Sequence, residues 1–202
     1  MSRPVRPDRE LMPPQGVGPL WFGMRLAEVA AALPDLTALR RFQADPASRR
    51  TLGVEFAAGR AEPAVRTYFV DDRLSCVAAD AAHGPQVTLW GRQLTGRVPD
   101  DLERFLGHAH ACEVVDVSYG PRGNPGVDGL GLVLRLQAVA DRVVTRPVLV
   151  GRAWADPVHR RLGRRDPGMR MGGLHVARCG CAPRSRPPPD HATHWGSWRP
   201  PF

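Results

Sequence analysis

VRTYFVDDRLSCVA, residues 65–78, is the stretch whose reading decides the fold class. Residues 65–70 are rich in β-branched and aromatic side chains, Asp71-Asp72 supplies a two-residue turn, and residues 74–78 return as a second strand. That is a β-hairpin, and the same signature recurs on both sides of it. Residues 86–90 and 93–94 form a short pair around Gly91, residues 114–119 are strand-like, and residues 120–126 are a loop by composition. Residues 131–137 and 143–150 make a closing hairpin turned near Ala140-Asp141. Two helices interrupt the strands. Leu26, Val29, Ala30 and Leu33 recur at the spacing of one helix face, which Pro34 ends. A second helix follows Pro99, with Asp100, Asp101 and Glu103 at its positive end, Leu102, Phe105 and Leu106 as its buried stripe, and Gly107 as its exit. Residues 35–64 hold Pro46, Gly53, Gly59 and Pro63, which predict no long element there. Two helices and about six strands in hairpins imply an α+β fold on an antiparallel sheet.

Composition narrows the chemistry. The 202 residues are 43% hydrophobic and 24% charged, a globular balance, although 21 Gly and 21 Pro imply much loop. All 28 basic residues are Arg, so neither a phosphate-loop lysine nor a Schiff-base lysine exists, and phosphate-loop hydrolysis and pyridoxal chemistry are excluded. Residues 1–156 hold 19 Arg against 18 acidic side chains, whereas residues 157–202 hold 9 Arg against Asp166 and Asp190. The charge of +8 therefore belongs to the end of the chain and does not make the rest a nucleic-acid binder. Without an apolar run of ~18 residues or a signal-like start, the expected location is the cytoplasm. The expected organisation is a flexible leader (1–15), one α+β domain (16–156) and a disordered Arg/Pro/Gly-rich tail (157–202). The abrupt break at Pro157 is what a shifted frame in GC-rich DNA produces.

Gly18-Pro19-Leu20-Trp21-Phe22-Gly23-Met24, followed by Glu28-Val29 and Leu33, resembles the opening of small uncharacterised actinobacterial proteins with a G-x-G-P-L-x-F-G-M motif. The resemblance extends through Tyr119-Gly120-Pro121, residues 129–132 and Trp154-Ala155-Asp156. Some of these proteins lie near toxin genes and are suspected immunity or partner-binding proteins, so the resemblance implies a protein partner, such as a toxin, and no cofactor. Where the related pattern offers a capping Ser or Thr, this chain has Arg25, and only Glu28 remains of the capping box.

Candidate sites are few. Trp90, Tyr119 and Trp154 are large aromatics near turns, the residue class of interface anchors. His108, His110 and Cys112 alternate, so an extended chain would turn all three to one face as metal ligands, though its outer pair would lie ~13.6 Å apart. Cys76 with His83 could form a nucleophile pair, and Asp71-Asp72 or Asp100-Asp101 an acid–base pair, but turns and first helical turns favour Asp anyway. In the tail, His175, Cys179, Cys181, His191 and His194 have metal-like spacing, and Arg160-Arg161 and Arg164-Arg165 suit nucleic acid. The leading expectation is a non-catalytic protein-binding domain. The alternatives are a metal- or Cys-dependent hydrolase and nucleic-acid binding through the tail.

Overall fold

The hairpin at 65–78 forms the middle of a large sheet. The computed structural model describes residues 6–45, 48–59, 62–119 and 124–151. Trp154 and the whole of 157–202, including the expected tail sites, lie outside them. In chain order the described elements are β1 (Asp8–Met12), β2 (Gly16–Val17), β3 (Leu20–Trp21), α1 (Leu26–Ala32), β4 (Thr37–Asp45), β5 (Ser48–Ala57), β6 (Val65–Val70) and β7 (Arg73–Ala79). Then follow β8 (Gln86–Leu89), β9 (Arg92–Gln93), α2 (Pro99–Ala111), β10 (Val117–Tyr119), β11 (Pro125–Val127), β12 (Leu132–Val139) and β13 (Arg142–Val150). The architecture is α+β: an eight-stranded sheet in the order β10-β11-β12-β13-β7-β6-β5-β4 and a five-stranded sheet in the order β3-β2-β1-β8-β9.

The large sheet is antiparallel throughout, and its turns have the chemistry that tight hairpins demand. Asp71 and Asp72 sit at φ 49° and 61°, the left-handed pair that suits the twist of the flanking strands and that a short Asp tolerates. Trp90 and Gly91, at φ 50° and 73°, do the same between β8 and β9. The β12–β13 hairpin is paired from Leu132↔Leu149 to Val139↔Arg142.

Three expectations are corrected. Residues 37–57 are not broken up but form the long pair β4–β5. Gly53 is a point of close approach, not a breaker: the Phe42 ring lies over it, and a Cβ there would fall 2.3 Å from Phe42 Cζ. Second, the sheets are not all hairpins. β1, drawn from the expected leader, pairs in parallel with β8 (Arg9↔Val87) and buries Leu11 in the core. No turn joins these strands, so nothing local imposes antiparallel pairing. Third, α2 does not exit at Gly107 but runs to Ala111. Burial of Leu106 and Ala109 outweighs the cost of one helical glycine, about 1 kcal/mol.

The main core lies between one face of the large sheet, both helices and the small sheet, with Val29, Phe56, Phe69, Leu74, Leu102 and Leu149 among its members. The opening motif straps onto it. Gly23 N–H donates to Leu74 O (2.8 Å), Leu74 N–H donates to Met24 O (2.8 Å), and Phe22 packs on Gly151. Gly23 needs its glycine, since its φ is +91°. At the start of α1 the Arg25 N–H donates to Glu28 Oε2 (2.6 Å), while the Arg25 side chain makes no cap bond. Thr145 fixes the entry to α2: its hydroxyl donates to Leu94 O (2.6 Å) and accepts from Arg97 N–H (3.1 Å). Among the described residues no helix is long and apolar enough to cross a membrane.

Val29 and Leu102 are 0% and 1% exposed, one on each helix. Val29→Asp or Leu102→Asp is expected to abolish cooperative unfolding, because an unpaired buried carboxylate costs several kcal/mol against a total of ~5–15. Leu102→Ala should fold with a loss of about 2–5 kcal/mol. Circular-dichroism melts check this, and an Asp variant that melts like the parent would refute the assigned helix faces.

Candidate functional site

Two of the expected aromatic anchors, Trp90 and Tyr119, lie near α2. Trp90 is half-buried in the β8–β9 turn, edge-on to Phe105 at 6.2 Å, and the Arg92 guanidinium lies over the same Phe105 ring, 5.6 Å from its centroid. Trp90 thus packs on the core edge. Tyr119, 39% exposed, ends β10 near Glu103; burial first, then that carboxylate, raises its phenol pKa.

The segment 108–112 is helical, not extended, so its three candidate ligands do not share a face. His108 and Cys112, four residues apart, meet at 3.8 Å (Nε2 to Sγ), while His110 Nδ1 turns to Val115 O at 3.0 Å. Among the described residues no three His, Cys, Asp or Glu side chains gather as a metal cluster. Cys76 is fully buried in β7, and burial pushes its thiol pKa far up, so it is a neutral thiol packed as a small apolar group. His83 lies beyond the end of β7, where its N–H donates to Asp80 Oδ1 (3.0 Å) and its ring stands 3.6 Å from the same oxygen. Asp71 pairs with Arg50, and Asp101 with Arg104, as turn and helix-start carboxylates.

Two groupings emerge only from the strand order. One is apolar. Tyr119, Leu136, Val143 and Val98 are 39–56% exposed. Tyr119 (paired with Pro125), Leu136 (paired with Thr145) and Val143 (paired with Ala138) fall on the core-facing side of the large sheet, beyond the cover of α2. Val98 follows the Gly96–Arg97 segment that bonds Thr145. At about 4.8 Å per strand this crescent spans about 14 Å from β10 to β13.

The other grouping is charged and lies on the opposite face. There a second cluster of Ala44, Tyr68, Cys76, Ala78, Val148 and Val150 is rimmed by Arg40, Arg66, Arg135 and Arg146. Glu55, its side chain 6% exposed, accepts from Arg40 (3.0 and 3.2 Å) and Arg66 (2.8 Å). Burial alone would raise its pKa, but these hydrogen bonds and charges prevail and hold it below the ordinary value. Asp80 behaves likewise. Burial is opposed by bonds from the His83 and Ala82 amides and the Gln137 Nε2 (3.0, 2.8 and 2.8 Å), and its pKa is lowered. Burial pushes the Tyr68 phenol up to about 12, so it stays protonated. Apart from Cys76 and His83, none of these residues drew notice in the sequence. Arg66-x-Tyr68 and Arg135-x-Gln137 carry the alternation that sends both members to one face, but which strands are neighbours is not written locally.

Because Glu55 and Asp80 are depressed in the fold, their stabilisation is complete above the unfolded values of about 4.3 and about 3.9 and is lost as pH falls through the folded values. Melting temperature should therefore fall on acidification below about pH 4, and Glu55→Gln should melt lower at pH 7 with a shallower acid slope. Equal slopes for parent and variant in a pH series of melts would refute the Glu55 assignment.

Compared with protein-family models, with curated proteins and with solved structures, the chain matches none.

Proposed function

We propose that the domain is a non-catalytic protein-binding module of the immunity type that its opening motif resembles. The observation that carries this reading is the crescent of Tyr119, Leu136, Val143 and Val98. Four apolar side chains, each at least 39% exposed, lie on one side of the large sheet and at the start of α2. Apolar groups concentrated in this way mark contact surfaces, and an exposed Tyr is a favoured anchor because it offers a large area with few rotamers to freeze. The neutral, buried Cys76 thiol supports the same reading, since it is not available as a nucleophile. The partner that fits is a folded protein with a complementary apolar knob or groove, for which a toxin encoded beside this gene is the first candidate.

Co-expression with the products of the adjacent genes is expected to yield a stoichiometric complex. Leu136→Asp and Val143→Asp should each weaken it about tenfold or more while leaving the melting temperature near the parent's, because both positions face water in the free protein. A complex indifferent to both substitutions, or no complex with any neighbouring product, would overturn the reading.

A further inference from the structure

We propose that Arg66, Arg135 and Arg146, gathered around Tyr68 on the face of the large sheet turned away from the main core, bind a single oxyanion: a phosphate or carboxylate group. The site is on the opposite face from the apolar crescent and does not rest on the protein-binding reading.

Register brings the cations together. Arg135 on β12 stands directly opposite Arg146 on β13. Directly opposed side chains on one face have Cβ atoms about 4.5–5.5 Å apart, where like charges destabilise the pair. Arg66 approaches from β6 across Ala78, its register partner on β7, while Ala78 pairs with Val148 on β13. The floor between Arg66 and the Arg135–Arg146 pair is therefore made of short apolar side chains, Ala78 and Val148, both 0% exposed.

Among the described residues, the carboxylates nearby are already engaged. Glu55 is held between Arg40 and Arg66, and both Asp80 oxygens accept bonds from Ala82, His83 and Gln137. One donor carries the argument: Arg146 Nε is sealed from solvent and reaches no acceptor. A shielded, unsatisfied N–H beside two like charges is costly and calls for an acceptor that brings negative charge. Burial, then Arg66, lowers the Arg146 pKa, as does Arg135, with Tyr68 and Asp80 opposing. Guanidinium forks are the donors that fit the oxygens of one phosphate or carboxylate.

The test uses the full chain at pH 7 and constant ionic strength, with sodium phosphate in one arm and sodium acetate in the other replacing sodium chloride. At least one anion is expected to raise the melting temperature along a single-site saturation curve, by about 3–6 °C at a tenfold excess over its Kd. The arm that saturates at lower concentration identifies the group. Arg146→Gln should lose the saturable rise yet melt no lower than the parent in chloride, a result that a merely structural arginine would not give. Arg142→Gln, in the exposed β12–β13 turn, should keep the rise. Should Arg146→Gln fail to fold, Arg135→Gln is read in the same way. A rise that is linear in concentration and equal in parent and variant is general salting-out, and it would overturn the site, as would no rise in either arm.

Discussion

Along β7 the backbone is bonded on both edges while its side chains are buried on both faces. β6 pairs with it from Arg73 to Ala79; on the other edge β13 pairs with residues 76–78, and the Gly23–Met24 turn takes both hydrogen bonds of Leu74. Leu74, Val77 and Ala79 enter the main core, and Cys76 and Ala78 enter the second cluster. A strand so enclosed must have every polar backbone group satisfied and every side chain matched in size, since a stray donor or an extra methylene has no water to retreat to. The small residues of β7 meet this demand, and they make it possible for the motif turn, α1 and the closing hairpin to converge on one element.

That enclosure separates the two faces of the large sheet. The core-facing side is apolar and is covered by α1, α2 and the small sheet, but α2 begins only after Thr145 has tied down Leu94–Arg97, so the sheet beyond its first turn is left uncovered. The opposite side carries long arginine side chains around short apolar ones. Their stems shield Cys76 and Tyr68 while their charged ends stand together. One hairpin, β12–β13, contributes to both surfaces by simple alternation: Leu136 and Val143 to one, Arg135 and Arg146 to the other.

Elements whose signal is local could be read directly. The Asp71-Asp72 turn, the Trp90-Gly91 turn and the Ala140-Asp141 turn each announce themselves, and the strands on either side alternate clearly. α1 is legible from the spacing of Val29 and Leu33. β4 is not, because most of its side chains face water and its one large apolar contact, Phe42 on Gly53, looks from the sequence like a strand broken by glycine. The metal-like alternation at 108–112 misleads for a related reason. Period two means a shared face only in a strand, and the burial of Ala109 makes this stretch helical.

The sequence by itself determined the α+β class, the hairpin turns and the absence of lysine chemistry, because turn dihedrals, apolar periodicity and side-chain inventory are properties of neighbouring residues. Tertiary structure alone decided that β1 lies parallel to β8, that Glu55 is shared by two arginines, and that Arg66, Arg135 and Arg146 meet. Those outcomes depend on which strands become neighbours. That order is set by the burial of β7 and the closure of chain segments as many as 78 residues apart, and no local pattern encodes it.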